Sequence, residues 1–280
     1  MGLSDKDITD LREKARQIRR KIINTVVWAG GGHAGGALSQ ADILVALYYH
    51  YLNVDPNNPS WEDRDRVVLS KGHGGIGYAP ILADRGYFPE ELLKTFNHTN
   101  SPFGMHLDRL KVPGVDSSTG SLGHGLPIAV GLALGAKLKG KLWKTYCIIG
   151  DGECNEGSVW EGAMAASHFK LNNLIGIIDR NGLCIDGATE EIMSLEPLKE
   201  KWQSFGWHVT VIDGHDFFEL GQALEEAQHL AEQPAMIIAN TVKGKGVDFM
   251  EGVSGWHYGG LDTEKEKQAL ESIDRMHSKG

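Results

Sequence analysis

The sequence predicts an α/β fold, a doubly wound parallel sheet with helices on both faces. Short apolar runs alternate with longer stretches of helix-forming composition, as expected when crossover helices join parallel strands. Most of these runs end in a polar or glycine-rich turn, and ligands bind such sheets at the edge where the strands end. The predicted strands lie at 67–70, 146–149, 174–178, 207–212 and 235–241.

A long amphipathic helix is predicted over 8–28, ahead of the first strand. Its apolar residues recur at helical spacing, and the glycines at 30–32 end it. Ser39 then stands ahead of the apolar run 43–51 and is predicted to be an N-cap.

The middle of the chain contains helices, a long loop and one crossover. Helices are predicted at 77–85 and 90–96, and an extended loop follows at 106–118, a length at which loops are usually functional. The segment 125–138 is rich in alanine, glycine and leucine and predicts a helix buried on most faces. The segment 158–170 predicts the helix that crosses from the second strand to the third.

The remaining predicted elements are helices at 195–205, 217–232 and 261–279, the last of them a charged terminal helix. No repeat or interdomain linker is visible. The 280 residues are enough to bury one sizeable core, so a single domain over 1–280 is expected.

Composition excludes several classes of protein. The net charge is -9, from 28 basic and 37 acidic residues, which argues against nucleic-acid binding because that requires a concentrated cationic face. No apolar stretch reaches the roughly 18 residues needed to span a bilayer, and the start lacks the pattern of a signal peptide. Three cysteines without metal-ligand spacing are most simply reduced thiols, as in a cytoplasmic protein.

Two strand ends supply hard oxygen ligands. Asp151 follows the second predicted strand and Asn181 follows the third, so both lie at the carboxyl edge of one βαβ unit. A carboxylate, an amide oxygen and a nearby backbone carbonyl suit Mg²⁺ or Ca²⁺, with diphosphate oxygens and water completing the shell. Gly150 and Gly152 flank Asp151 and let the backbone approach a phosphate closely.

Several motifs of this chain, in this order, resemble those of the transketolases. They are Gly-His-Ala-Gly-Gly at 32–36, the segment 63–74 ending in Ser-Lys-Gly-His-Gly, Gly-Met-His at 104–106, 118–125, Gly-Asp-Gly-Glu-Cys-Asn-Glu-Gly at 150–157, and Asp-Arg-Asn-Gly-Leu-Cys-Ile-Asp-Gly at 179–187. The spacing of Gly-Asp-Gly and the later asparagine looks like the thiamine diphosphate signature. The resemblance covers 33–257, nearly the whole chain.

The resemblance implies a diphosphate-binding domain that works with a second protein. The chain corresponds to only the amino-terminal third to half of a full-length transketolase, and no segment matches the pyrimidine-binding domain. It therefore looks like the amino-terminal subunit of a split transketolase. Its expected partner is a carboxyl-terminal subunit in an α₂β₂ complex, and its expected reaction moves a ketol unit from a ketose phosphate to an aldose phosphate with thiamine diphosphate and Mg²⁺.

The resemblance also assigns roles to individual residues of this sequence. Metal ligands would be Asp151, Asn181 and the carbonyl of Leu183. Diphosphate contacts would come from His73 and His257, and the substrate's first carbons would face His33, His106 and His257. Glu156 resembles the glutamate that crosses the subunit interface into a proton network. The remaining predicted cofactor contacts are Gly120, Ser121, Leu122, Gly150, Gly152 and Glu153.

Other interpretations of the same residues stay open. Each histidine alone is most simply a hydrogen-bonded surface or core residue, and Glu156 an ordinary carboxylate at a helix start. The rival enzymes are the α subunit of a 2-oxo acid dehydrogenase and the amino-terminal half of a deoxyxylulose-phosphate synthase. A rival of another class is a cofactor-binding module without activity. The family usually has proline and glutamine where this chain has Ser121 and His124.

Overall fold

Five parallel strands form the centre of the protein. The structure, a computed structural model, describes residues 2–277. The strand order is β1-β2-β3-β5-β4. The strands are β1 (Arg66–Leu69), β2 (Thr145–Gly150), β3 (Leu174–Arg180), β4 (His208–Asp213) and β5 (Ala235–Asn240). Gly150 pairs with Asp179 and Arg180 with Asn240, so β2, β3 and β5 end side by side at one edge. The predicted fold class is confirmed.

Helices cover both faces of the sheet. They are α1 (Asp5–Trp28), α2 (Ala34–Ser39), α3 (Ala41–Ala46), α4 (Gly75–Asp84), α5 (Gly125–Leu138), α6 (Gly157–His168), α7 (Thr189–Ile192), α8 (Leu198–Ser204), α9 (Phe217–Gln228) and α10 (Thr263–His277). A capping box between Ser4 and Asp7 begins α1, and Gly30, with φ of 69°, follows its end. Within the described residues, no helix combines the length and apolar character that crossing a membrane requires.

Alternate residues of each strand enter different cores. Tyr146 and Ile148 pack with the layer formed by α1 to α4 and α9, whereas Cys147 and Ile149 pack with the layer formed by α5, α6 and α8. Burial on both faces explains why the strands appear in the sequence as continuous apolar runs rather than as alternating patterns.

One prediction about an element is wrong, and two further segments form helices of other types. Ser39 is the last residue of α2 and not an N-cap: its hydroxyl donates to the carboxylate of Asp179 (2.6 Å) and to the Gly36 carbonyl (3.1 Å). The apolar run 43–51 divides into α3 and a π-helical turn at Leu47–Tyr51. The run 90–96 forms a 3₁₀ segment at Glu90–Thr95.

Several helices differ from their predictions in burial or extent; α8 begins at Leu198 rather than 195, and α9 ends at Gln228 rather than 232. Helix α5 is buried along one face only, because Ile128 and Leu138 are exposed. The terminal helix begins at Thr263 rather than 261, and its predicted end at 278–279 lies outside the described residues.

Candidate functional site

A cavity of about 390 Å³ lies at the carboxyl edge of the central strands. The loops after β1, β2, β3 and β5 surround it, together with the start of α2 and the segment 105–122. Its lining includes His33, Gly36, Lys71, His73, Met105, His106, Gly120, Leu122, Gly150, Asp151, Gly152, Glu153, Asn181, Leu183, Cys184, Ile185, Asp186, Lys243 and His257. Most of the predicted site residues are thereby brought together.

The Asp151 carboxylate is buried and held by backbone donors. One oxygen accepts from the N–H of Gly152 (2.8 Å), and the other accepts from the N–H of Gly182 (2.6 Å). The amide oxygen of Asn181 accepts from the N–H of Leu183 (3.2 Å). Burial, with the nearby charge of Asp179 adding to it, raises the pKa of Asp151.

Asp179 and Lys71 form a fully buried ion pair beneath the cavity, and the sequence motifs predict no role for either. The carboxylate of Asp179 also accepts from the hydroxyls of Ser39 and Thr241. Burial alone would raise the pKa of Asp179, but the charge and hydrogen bond of Lys71 hold it below its usual value. The signal in the sequence is an ionisable carboxylate at the end of an apolar strand, since such a group needs a buried cation.

Three histidine rings meet at one side of the cavity. The ring centroids of His33 and His73 are 4.9 Å apart, and each lies 5.2 Å from that of His257. Burial, assisted by neighbouring lysine and histidine charges, lowers the pKa of His33 and of His257 to about 4, and the pKa of His73 to about 2. These imidazoles are therefore neutral near pH 7. The buried Nδ1 of His33 has no hydrogen-bond partner among the described residues, which leaves it available to a ligand.

His106 also lines the cavity, at the start of the predicted long loop. Its side chain is exposed and lies against Gly120, where an added Cβ would come within 3.2 Å of the imidazole Cδ2. Leu122 also lines the cavity, but Ser121 is exposed and is absent from the lining. Glycine at 120 thus lets the two loops approach each other.

The Glu153 carboxylate is buried and joins three segments. It accepts from the N–H of Gly123 (2.8 Å), from the N–H of Gly150 (2.9 Å) and from the hydroxyl of Ser70. Burial raises its pKa. Both oxygens are therefore occupied by protein donors, so the geometry gives Glu153 a positioning role, and its predicted contact with the cofactor stays a prediction.

Lys243 is buried against the predicted metal ligands. Its ammonium donates to the carbonyl of Leu183 (3.0 Å) and to Nδ1 of His257 (3.0 Å). Burial, followed by the charge of Lys71, lowers the pKa of Lys243 to about 8. Two lysines therefore reach the cavity; Asp179 balances the charge of Lys71, and the charge of Lys243 suits an anionic ligand.

Glu156 is the one predicted catalytic residue that lies apart from the others. It is exposed at the start of α6 and is absent from the cavity lining. Its Cβ packs beside Gly123, where an added Cβ would approach it to 2.6 Å. An acid in this position avoids repulsion from an anionic ligand in the cavity.

The residues of the cavity fit a diphosphate and a divalent cation. Glycines 36, 150 and 152 expose backbone beside the lysines, and a Cβ at 152 would come within 3.3 Å of the Cys184 Cβ. Among the described residues, no group of three or more histidine, cysteine, aspartate or glutamate side chains is arranged to hold a metal. A cation here would need the mixed set of carboxylate, amide and carbonyl oxygens, with ligand oxygens completing the shell.

The chain matches one family along almost its whole length. Residues 11–273 match the family described as transketolase, thiamine diphosphate binding domain. The chain is 45% identical over 266 residues to a 6-deoxy-6-sulfo-D-fructose transketolase subunit of Clostridium sp. (strain MSTE9), covering 95% of this chain and 97% of that protein. It is 44% identical over 267 residues to an apulose-4-phosphate transketolase subunit of Actinobacillus succinogenes, covering 94% and 96%.

A solved structure agrees with these matches. The crystal structure of transketolase from Campylobacter jejuni superposes with a TM-score of 0.88 at 36% identity, covering 94% of this chain. The match covers 42% of that longer chain, so the present chain spans less than half of a full-length transketolase. The chain belongs to the transketolase family and contains its thiamine diphosphate-binding domain.

Proposed function

We propose that this chain is the amino-terminal subunit of a split transketolase. With a carboxyl-terminal subunit bound, it would transfer a two-carbon ketol unit from a ketose phosphate to an aldose phosphate. The observation that carries this proposal is the joint position of Asp151, Asn181, two buried lysines and three neutral histidines at one strand edge. Relatives that match the chain over nearly their full lengths are themselves named as transketolase subunits.

Mg²⁺ is the proposed metal, held by the carboxylate of Asp151, the amide oxygen of Asn181 and the carbonyl of Leu183. All three are hard oxygen donors, and diphosphate oxygens and water would complete an octahedral shell; Ca²⁺ would accept the same ligands. The Leu183 carbonyl accepts from Lys243 in this structure, so this lysine would exchange that bond for a phosphate oxygen. His73 and the glycines around Asp151 would contact the diphosphate.

Thiamine diphosphate, when bound, supplies the electron sink for the carbanion left by cleavage of the ketose. The side chains of this chain would bind and orient the sugar. His33 and His257, which are neutral near pH 7, would accept hydrogen bonds from sugar hydroxyls, and His106 would face the same end of the sugar. Gly120, Ser121 and Leu122 would support the pyrimidine end of the cofactor.

The partner protein would provide what this chain lacks. Apolar side chains stay exposed on α5 and α6, including Ile128, Leu138 and Met164, and obligate interfaces cover apolar surface of this kind. We propose an α₂β₂ assembly in which Glu156 and the loop 120–125 face a protein rather than water. One relative is named for a sulfonated sugar and the other for a sugar phosphate, so the particular sugar is not part of this proposal, and a sugar phosphate stays the proposed class of substrate.

Metal-dependent binding of thiamine diphosphate tests the site. Asp151→Ala and Asn181→Ala each remove one of few protein ligands and should abolish cofactor retention while the fold is kept. Calorimetry of the reconstituted complex measures the affinity, and circular dichroism checks the fold. Asp248→Ala, an exposed aspartate paired with Arg275, is the matched control. Unchanged affinity in both site variants would refute the assignment of these ligands.

Ketol transfer tests the reaction itself. The purified chain alone should transfer nothing from any ketose phosphate, and addition of a carboxyl-terminal subunit from the same genome should restore transfer. Decarboxylation of a 2-oxo acid by the complex would point to one of the rival enzymes. Cofactor binding without turnover in any pairing would support a non-catalytic module instead.

A further inference from the structure

Arg180 joins the candidate metal site to a surface segment. It is the last residue of β3, between Asp179 and Asn181, and its guanidinium has two arms. The Nη1 arm lies 3.3 Å from Oδ2 of Asp151 and donates to the hydroxyl of Thr189 (2.7 Å). The Nη2 arm donates to the carboxylates of Glu190 (2.7 Å) and Glu196 (3.2 Å).

The contact between Arg180 and Asp151 differs from an ordinary surface ion pair. The Arg180 side chain is only 11% exposed and that of Asp151 only 4% exposed, so the contact between them is shielded from water and salt. A guanidinium is planar and presents five donors in a fixed fork, which lets one side chain hold partners on two sides. An exposed pair, in contrast, contributes little.

The segment 182–196 has weak packing of its own. Ile185, Ile192 and Met193 are exposed by 67%, 51% and 63% of their surfaces. Glu190 closes the segment on itself by accepting from the hydroxyl of Ser194 (2.6 Å) and from the N–H of Leu195 (3.2 Å). With few buried apolar side chains, such a segment depends on its polar bonds to stay ordered.

Arg180 and the segment 182–196 both contact the candidate metal site. The segment contains Leu183, whose carbonyl is a proposed metal ligand, and the N–H of Gly182 donates to the same Asp151 oxygen that Arg180 approaches. We propose that Arg180 is a positioning residue, which couples the order of the segment 182–196 to the orientation of Asp151. This inference rests on the metal site of the proposed function.

For the loss of Arg180, this coupling predicts a change in metal affinity opposite to the one that charge alone predicts. Removing a positive charge beside Asp151 would by itself strengthen the binding of a cation. If Arg180 instead orients Asp151, Arg180→Gln should weaken metal binding. Mn²⁺, added with thiamine diphosphate, is the paramagnetic probe that takes the place of Mg²⁺. The expected loss is about 10- to 100-fold, the range found when an outer partner of a metal ligand is removed.

Two further variants distinguish the loss of the Arg180 hydrogen bonds from the loss of its charge. Arg180→Lys keeps the charge but not the fork, so it should lose affinity as Arg180→Gln does. Glu190→Gln changes only the far end and should also weaken Mn²⁺ binding. The double variant Arg180→Gln/Glu190→Gln should bind Mn²⁺ no worse than Arg180→Gln alone. The first substitution already removes the hydrogen bond between Arg180 and Glu190, so the second has nothing further to remove. Arg275→Gln, at an exposed pair with Asp248, is the matched control and should bind like the unaltered chain.

Electron paramagnetic resonance measures free Mn²⁺, and hydrogen exchange followed by mass spectrometry measures the order of the segment 182–196. Faster exchange in that segment together with weaker Mn²⁺ binding supports the inference. Unchanged or tighter binding in Arg180→Gln, full affinity in Arg180→Lys, additive losses in the double variant, or unchanged exchange would each overturn it. All variants are measured in the complex reconstituted with the carboxyl-terminal subunit; if the complex of the unaltered chain binds no Mn²⁺ at all, the metal site of the proposed function fails, and the coupling fails with it.

Discussion

At the scale of single residues, the surroundings of each titratable group decide its charge. Asp179 and Asp151 are both buried, yet only Asp179 has a buried lysine against it, and their pKa values shift in opposite directions. His33, His73 and His257 are neutral near pH 7 for a related reason, because burial and nearby cations disfavour the imidazolium and lower their pKa values. The site therefore keeps these three imidazoles neutral, and among the described residues nothing occupies Nδ1 of His33, which can accept a hydrogen bond from a ligand.

Histidines in the cavity should matter more than histidines on the surface. His73→Ala or His257→Ala should weaken cofactor binding or slow turnover of the reconstituted enzyme, because both rings line the cavity. His50→Ala and His229→Ala are the controls, since both side chains are exposed on or beside helices outside it. Steady-state kinetics and calorimetry provide the comparison. Similar losses in all four variants would mean that the cluster is structural.

The depressed pKa values predict a dependence of stability on pH. Between about pH 4 and the ordinary histidine pKa of 6.5, the unfolded chain binds protons on His33 and His257 that the folded chain does not bind. The free energy of unfolding should therefore fall as the pH is lowered through this window, and these two groups should add no further loss below it. Urea denaturation at several pH values measures the slope.

His257→Asn isolates one of these two groups. It removes an imidazole of depressed pKa, so stability should depend less steeply on pH from about 6.5 down to about 4. His50→Asn, at an exposed position, should leave the slope as it is in the unaltered chain. If His257→Asn left the slope unchanged, the imidazole of His257 would have to be as easily protonated in the folded chain as in the unfolded one.

At the scale of elements, one buried carboxylate joins the ends of two strands and a loop. Glu153 follows β2 and accepts from Ser70, which follows β1, and from Gly123, which precedes α5. The backbone N–H of Gly123 and of Gly150 would lose their acceptor without it. The loop that carries Gly120 and Leu122 to the cavity is therefore held by a side chain from another segment.

Glu153→Ala should lower the free energy of unfolding by about 2–4 kcal/mol, because it leaves buried donors unsatisfied and removes packed atoms. Glu153→Gln keeps the size and one acceptor oxygen and should lose less. Urea denaturation at pH 7 measures both. A loss in Glu153→Ala within about 0.5 kcal/mol of zero would show that water replaces the carboxylate without cost.

At the scale of the whole molecule, the exposed apolar surface of α5 and α6 predicts assembly. Ile128→Glu and Met164→Glu place a charge where a partner would exclude water, and each should weaken the complex with the carboxyl-terminal subunit. Native mass spectrometry measures the proportion of α₂β₂. Phe218→Glu is the control, because this exposed phenylalanine lies on α9, which packs on the other face of the sheet. Equal effects in all three variants would argue against this interface.

Local patterns predict most of the fold. The strands are recognisable because both of their faces are buried, which makes each one a continuous apolar run between turns. The run 43–51 is harder to predict, because apolar residues alone do not distinguish an α-helical segment from a π-helical turn. The residue type of Ser39 suits a helix cap, whereas its hydroxyl instead binds a carboxylate 140 residues away.

The sequence by itself determined the strands, the glycine-flanked Asp151, the later Asn181 and the resemblance to transketolases. Each of these is recognised from residues that are close together in the chain. Only the tertiary structure decided how distant groups are paired. Lys71 and Asp179 are 108 residues apart, and Ser70 and Glu153 are 83 apart. These contacts exist because the strand order places β1, β2 and β3 side by side, so their ends share one edge. Charge pairing across that edge follows from topology, and no local pattern encodes it.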